Sequence, residues 1–138
     1  MVIVSVFLSL IFLILAIPHL HWALGGTRGL NAALPSNPDS DKKLFTPGPA
    51  ACLLVGLVLL IFSAIYFINP EPGNDKNWIF DWSRRVIPCL FLLRGIGDFK
   101  YVGLTKKVKS TLFARMDSKY YTPLCLLIAG MGFAVILV

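Results

Sequence analysis

The chain has 138 residues, of which 57% are hydrophobic and 14% are charged, and its mean hydropathy is +0.75. Soluble domains carry about 25% charged residues. The apolar residues fall here into four nearly continuous blocks, which excludes a soluble globule, a disordered chain and a fibre and predicts a small polytopic membrane protein. The net charge of +6 does not indicate nucleic-acid binding, because the basic residues lie between the apolar blocks.

The first apolar block forms a predicted span over residues 2–24, and residues 1–27 contain no charged side chain. At about 1.5 Å per residue such a helix is long enough to cross the hydrocarbon core. A cleaved signal peptide would have a basic start and a shorter apolar run. We therefore expect the segment to remain in the protein as a membrane span.

The other blocks predict spans over residues 49–68, 82–101 and 122–138. The second and fourth spans are each preceded by a similar pair, Thr46-Pro47 and Thr122-Pro123, in which threonine can cap a helix and proline fits its first turn. This similarity hints at a duplicated helical hairpin. Residues 1–138 are thus predicted to form one all-α domain, a bundle of four transmembrane helices.

Basic residues are concentrated in the first and third connections between these spans. Nine lie there, namely Arg28, Lys42, Lys43, Lys100, Lys106, Lys107, Lys109, Arg115 and Lys119, whereas the middle connection has Lys76, Arg84 and Arg85. Because cytoplasmic loops are enriched in lysine and arginine, loops 25–48 and 102–121 are predicted to be cytoplasmic and both termini to lie outside. The lysines of the third connection would meet anionic lipid headgroups.

Aromatic residues flank the outer connection at 69–75, which has the composition of a turn. Tyr66 precedes this connection, and Trp78, Phe80 and Trp82 follow it. Such rings prefer the headgroup layer of a membrane. We interpret them as an interfacial anchor in preference to a binding site.

Arg94 is the charge that fits a membrane span least well, since it lies inside the third apolar block. Asp98 follows four residues later and Tyr101 three residues after that, so an intrahelical ion pair between Arg94 and Asp98 is predicted. A charge at this depth is a functional-site hypothesis by default. A salt bridge that only locks two helices together is the alternative, and both interpretations stay open.

Further polar residues are predicted to reach the same membrane face as Arg94. His19 and Trp22 share one face of the first helix, while His21 points away and Gly25-Gly26 end the helix. The candidate ligand-binding residues are therefore His19, Trp22, Arg94, Asp98, Tyr101, Asp117 and Tyr121. Their side chains are of types that hold anionic ligands or move protons.

Other chemistries find no support in the sequence. The three cysteines form no Cys-x-x-Cys pair, and Cys52 and Cys125 are expected to be small core residues. No metal-binding spacing, P-loop or dinucleotide fingerprint occurs, so neither metal nor cofactor is predicted. Two stripes of small residues, Cys52, Gly56 and Ser63 on the second span and Gly130 and Ala134 on the fourth, permit close packing within the monomer or in a homo-oligomer.

Three spaced motifs carry a family resemblance: residues 19–26 (HLHWALGG), residues 93–103 (LRGIGDFKYVG), and residues 113–125, which read FARMD and end in YTPLC. The chain resembles a family of small bacterial four-helix membrane proteins classed only as a domain of unknown function. The resemblance implies a multi-pass protein of the bacterial inner membrane. It supports most of the candidate residues above and implies no activity; a tyrosine is the family expectation at the position of His21.

These observations predict a polar pocket at the cytoplasmic end of the bundle that binds a small molecule or a lipid headgroup. Arg94 would hold the anionic or polar head, Asp98 would orient Arg94, and His19 or Tyr101 would exchange protons. Whether the pocket also acts on its ligand is left open. The alternatives are a small transporter or channel subunit working as an oligomer, and a structural or assembly factor of a membrane complex.

Overall fold

A computed structural model describes residues 1–40, 42–68 and 78–137, and this part of the chain is helical. Its elements are α1 (Val2–Ala23), α2 (Leu30–Ala33), α3 (Pro49–Ile68), α4 (Trp78–Ile96), α5 (Leu112–Met116), a π-helical turn (Asp117–Tyr121) and α6 (Thr122–Leu137). Among the described residues the extended pairing consists of an isolated antiparallel bridge between Ser36 and Lys43.

Three helical segments in the described ranges are long and apolar enough to cross a membrane. They are α1, α3 and the continuous run Leu112–Leu137. Helix α4 is not among them because it carries Asp81, Arg84, Arg85 and Arg94. The length and apolar character of the three segments indicate a membrane protein.

Helices α1 and α3 pack as an antiparallel pair. The hydroxyls of Ser9 and Ser63 lie 2.9 Å apart in a buried hydrogen bond, and Ser63 also lies 2.9 Å from the Ser9 carbonyl oxygen. A Cβ atom on Gly56 would lie 2.8 Å from Leu20 Cδ2, so only glycine permits this approach without a shift. The small residues predicted on the second span thus face α1 of the same chain.

Helices α4 and α6 form the second antiparallel pair, in which Gly95 packs against Leu126 and Gly132 against Pro88. The two pairs meet at Phe12, whose ring lies 5.4 to 5.8 Å from three rings on α3 and α4, those of Phe62, Tyr66 and Phe91. Aromatic contact on this scale fixes how the pairs pack.

The aromatic residues near the connection between the second and third predicted spans divide into two groups. Tyr66 is buried in the core against Phe12, so its predicted role as an interfacial anchor is wrong. Trp78 and Trp82 are well exposed, in keeping with a headgroup position. The predicted turn at 69–75 lies outside the described residues.

Helix α4 does not coincide with the third apolar block, for which a span over residues 82–101 is predicted. Helix α4 starts four residues before the predicted start at Trp82 and ends at Ile96, five residues before Tyr101. Arg84 is counted above among the basic residues of the middle connection, but it lies inside the helix and is only 2% exposed. Gly97 has a φ of +93°, and its amide hydrogen bonds to the Leu93 carbonyl in a left-handed end to the helix.

The last span does not begin at a Thr122 cap, because the helix runs on from Leu112 through the π-helical turn. Thr111 caps this run, its hydroxyl accepting a hydrogen bond of 3.1 Å from the Ala114 amide. Pro123 has no N–H, and in an α-helix its ring would clash with the carbonyl of Lys119. The wider π-helical turn just before it relieves this clash.

Candidate functional site

The carboxylate of Asp117 is completely buried and accepts four hydrogen bonds. Its Oδ1 accepts from Arg94 Nη2 at 2.8 Å. Its Oδ2 accepts from the Gly103 amide at 2.8 Å, Lys106 Nζ at 3.0 Å and Thr122 Oγ1 at 3.1 Å. We call these five residues the Asp117 network.

The network joins three parts of the chain, because its donors come from the last turn of α4, from residues 97–111 (the third loop) and from the start of α6. Two cations and one carboxylate give it a formal charge of +1. A buried carboxylate is stable only when it is paired and hydrogen-bonded. The network therefore fixes the third loop to the helices and leaves positive charge in excess.

Arg94 and Asp98 do not form the predicted intrahelical pair. Because α4 ends at Ile96, Asp98 and Tyr101 lie beyond the helix and do not continue the Arg94 face. Arg94 lies in the last helical turn and pairs instead with Asp117, 23 residues further along the chain. The four-residue interval from Arg94 to Asp98 implies a continuous helix, but the helix ends before the left-handed Gly97.

Asp98 organises the third loop instead. Its exposed carboxylate accepts hydrogen bonds from the backbone amides of Lys100, Tyr101 and Val102, at 3.0, 2.7 and 2.9 Å. Slight burial raises the pKa of Asp98, but these amide donors outweigh it and hold the pKa below its usual value. Asp98 thus stabilises a tight turn in its ionised form.

Two glycines of the third loop, Gly97 and Gly103, permit the two arms of the loop to lie in direct backbone contact. We call this contact the loop crossing. Gly97 and Gly103 have φ values of +93° and +82°. A Cβ on Gly97 would overlap the Val102 carbonyl oxygen, and one on Gly103 would meet the Cα of Gly97. This crossing places the Gly103 amide against Asp117.

His19 and Trp22 share a face of α1 as predicted, with ring centroids 5.1 Å apart. His19 Nδ1 lies 2.8 Å from the Leu15 carbonyl oxygen, one turn back in the same helix. Trp22 Nε1 donates to the Arg28 carbonyl at 2.9 Å and so fastens residues 24–48, the first loop, to the end of α1. Both hydrogen bonds stay within this part of the chain.

Tyr121 connects the first loop to the π-helical turn. Its hydroxyl donates to the Ala32 carbonyl at 3.2 Å, and α2 packs against α5. The first and third loops therefore lie together at one end of the molecule. Of the seven candidates, Arg94 and Asp117 are in direct contact, and Tyr121 is on the same turn as Asp117. His19 bonds within α1, Trp22 bonds to the first loop, and Asp98 bonds to the Tyr101 amide within the third loop.

A groove of about 260 Å³ lies beside the Asp117 network. The lining consists of two lysines, two hydroxyl residues, three apolar residues and one glycine. These residues are Lys106, Lys109, Ser118, Thr122, Leu104, Pro123, Leu126 and Gly103. The Lys106 side chain is 4% exposed, and its Nζ donates to the Gly103 carbonyl at 3.1 Å as well as to Asp117. An ammonium group has three N–H donors, so one is left for a ligand.

Lys106 is the charged member of the Asp117 network that sequence reasoning missed. It lies in a run with Lys107 and Lys109, all three interpreted as positive-inside charges. Lys106 is buried, whereas Lys107 is exposed. Which lysine of the run becomes buried depends on the loop crossing at Gly97 and Gly103. The local sequence pattern therefore does not show that it is Lys106.

In the described ranges no group of three or more histidine, cysteine, aspartate or glutamate residues is placed to hold a metal ion. Cys52 and Cys125 are buried and unpaired, as expected of small core residues. The site therefore consists of a buried ionic network and a groove with a basic lining.

A family model described as a protein of unknown function (DUF3995) matches residues 12–132. The chain belongs to this family. Neither the curated proteins nor the solved structures contain a match. Residues 12–132 of this DUF3995 chain include the Asp117 network and the whole groove lining. Since the family description names no activity, the function has to be argued from the site.

Proposed function

We propose that this protein is a four-span membrane protein that binds a phosphate-type anion in the groove beside the Asp117 network. In this proposal α4 is the fourth span, together with α1, α3 and α6. Its residues 86–93 carry no charge, and its 19 residues extend about 28 Å, close to the thickness of the hydrocarbon core. Both termini face outward, and the first and third loops lie on the cytoplasmic side of a bacterial inner membrane.

The lining of the groove is the observation that carries the binding proposal. Lys106 and Lys109 supply positive charge, and Ser118 supplies a hydroxyl donor, whereas the hydroxyl of Thr122 already donates to Asp117. No lining residue among those described is acidic. Cationic donors and hydroxyls around one concave surface suit the oxygens of a phosphate group.

Each residue of the site has a defined part in this proposal. Lys109 and Ser118 contact the anion, and Lys106 offers its third N–H. Asp117 and Arg94 are positioning residues, because Asp117 holds Lys106 in place and Arg94 balances the second oxygen of the same carboxylate. The ligand-binding roles of the remaining sequence candidates, His19, Trp22, Asp98, Tyr101 and Tyr121, stay predictions.

The test is a series of thermal unfolding measurements on the full chain in a neutral detergent at constant ionic strength. Inorganic phosphate, glycerol 3-phosphate and dioctanoyl phosphatidate are added in turn. A ligand that binds only the folded state raises the unfolding temperature as its concentration passes its dissociation constant. We expect a rise with at least one of the three probes.

A matched pair of variants locates the effect. Lys109→Gln removes a groove charge, whereas Lys107→Gln removes an exposed charge of the same loop that is not part of the lining. The rise should be lost in the first variant and kept in the second. No rise with any probe, or equal rises in both variants, would contradict the proposal.

A further inference from the structure

We infer that the occupant of the groove is a membrane lipid with a phosphate headgroup, bound with its phosphate at the lysines and the start of its acyl chains along Leu104, Pro123 and Leu126. This inference rests on the proposed anion site and names the class of ligand that the site takes. A free phosphate ester shares the headgroup chemistry and lacks the chains. The size of the groove, its apolar lining and its surroundings distinguish the two.

The size of the groove favours a ligand that is only partly enclosed. Pockets that bury most of a small ligand usually have volumes of about 300–1,000 Å³. This groove has about 260 Å³ and is partly open. It can hold a phosphate and the atoms next to it, while the rest of the molecule lies outside. For a lipid, that remainder stays in the bilayer and needs no protein cover.

Part of the apolar lining of the groove belongs to a segment that can span the membrane. Pro123 and Leu126 belong to the segment Leu112–Leu137, which is apolar enough to span a bilayer. Leu126 packs against Gly95 of α4, so this side of the groove follows the surface of the α4–α6 pair. The two lysines of the lining come from the third loop. A phosphate at one end and hydrocarbon at the other reproduce the polarity of a lipid at the bilayer surface.

The surroundings of the groove have the composition of a membrane interface. Phe99, at the tip of the third loop, has a φ of +65° and is well exposed, and Leu104 is 65% exposed. Lys100 and Lys119 each place Nζ 5.1 Å from the ring centroid of the tyrosine that follows them. Aromatic rings and basic side chains together are typical of the headgroup layer. The groove is therefore positioned where lipid phosphates are abundant.

The experiment compares probes that share a phosphate and differ in their chains. Dioctanoyl phosphatidate and glycerol 3-phosphate are titrated onto the full chain in neutral detergent, with dioctanoyl phosphatidylcholine as a lipid whose headgroup has no net charge. We expect the half-maximal rise in unfolding temperature at a concentration at least tenfold lower for phosphatidate than for glycerol 3-phosphate. Phosphatidylcholine should require at least tenfold more than phosphatidate.

Two leucine variants test whether the acyl chains of the lipid contribute to binding. Leu104→Ser changes an exposed leucine that lines the groove, and Leu127→Ser changes a similarly exposed leucine of α6 outside the lining. Leu104→Ser should weaken phosphatidate binding at least threefold, while Leu127→Ser should leave it unchanged. Because both positions are exposed, neither variant is expected to unfold the protein.

The outcomes distinguish failure of the lipid inference from failure of the proposed anion site. Glycerol 3-phosphate binding within threefold of phosphatidate would overturn the lipid inference and leave the anion site standing. Equal effects of the two leucine variants, or equal rises with phosphatidylcholine and phosphatidate, would also overturn the lipid inference. No rise with phosphatidate, glycerol 3-phosphate or inorganic phosphate would overturn both.

Discussion

Asp117 determines the structure of the loop-bearing end of the molecule, because one buried carboxylate receives donors from three separate parts of the chain. Its partners include two cations, Arg94 and Lys106, which would otherwise repel each other. Removing one member of a buried ionic group is strongly destabilising, since the remaining charges are left without compensation. The energetic importance of Asp117 follows from the charges that it neutralises.

Asp117→Asn is expected to lower the free energy of unfolding by about 3–5 kcal/mol, the range measured for breaking buried ion pairs. The asparagine keeps a similar shape and one acceptor oxygen, so the effect isolates the negative charge. Chemical unfolding of the full chain in mixed micelles measures it.

Asp39→Asn is the control for this variant, because Asp39 is an exposed aspartate of the first loop. Surface substitutions usually change stability by less than about 0.5 kcal/mol. If Asp117→Asn were as mild as Asp39→Asn, the Asp117 network would not be what holds the third loop.

Among the elements of the fold, the third loop has a backbone conformation that is fixed by hydrogen bonds, as that of a helix is. The carboxylate of Asp98 accepts hydrogen bonds from three backbone amides. The amides of Leu104 and Thr105 donate hydrogen bonds to the last carbonyls of α4. Gly97 and Gly103 let the two arms of the loop cross. This explains the glycines and the aspartate of the segment LRGIGDFKYVG as requirements of backbone geometry.

Gly97→Ala and Gly103→Ala should each prevent the native loop from forming. Each would place a Cβ in contact with backbone atoms at a φ that L residues rarely adopt, which costs more than a flexible side chain can relieve. Hydrogen exchange of the third-loop amides should rise at least tenfold. The matched change Gly130→Ala meets open space in the middle of α6, so it should be neutral or stabilising by about 0.5–1 kcal/mol. Unchanged exchange in Gly97→Ala would refute the crossing.

The elements that the sequence predicts well are those with one dominant physical cause. The first two apolar blocks and helices α1 and α3 differ by at most one residue at either end, because an unbroken apolar run and its glycine or proline boundaries determine both. The end of α4 was harder to predict, since the left-handed turn at Gly97 interrupts an otherwise continuous apolar pattern.

The site was predictable only in part, for the same physical reason. Arg94 stands out because a charge in an apolar block needs a partner. Its partner lies 23 residues away, and only the folded third loop brings the two together. Lys106 is indistinguishable from Lys107 in the sequence, so its burial could not be inferred from charge or spacing.

At the scale of the whole molecule, two antiparallel helix pairs meet at an aromatic core, and the first and third loops share one end. The duplicated hairpin suggested by the two Thr-Pro pairs stays a prediction, because helices that follow one another along the chain pair in this way without any duplication. If α4 crosses the membrane as proposed, both termini lie on the side opposite the groove.

Cysteine labelling tests that topology. In a background with Cys52, Cys89 and Cys125 changed to alanine, a membrane-impermeant maleimide is added to intact bacterial cells with a permeable outer membrane. Val2→Cys should react from outside, whereas Ser40→Cys and Ser110→Cys should react only after the cells are lysed. Labelling of Ser40→Cys and Ser110→Cys on opposite sides would exclude four spans.

Solid-state NMR of the full chain in bilayers containing phosphatidate measures directly whether a lipid phosphate occupies the groove, through the distance between lipid phosphorus and the lysine Nζ atoms. A direct contact places ³¹P within about 4 Å of the nitrogen. We predict strong ³¹P dephasing of the ¹⁵Nζ signals of Lys106 and Lys109 and weak dephasing of the exposed Lys107. Equal dephasing of all three lysines, or none at Lys109, would contradict a phosphate-binding groove.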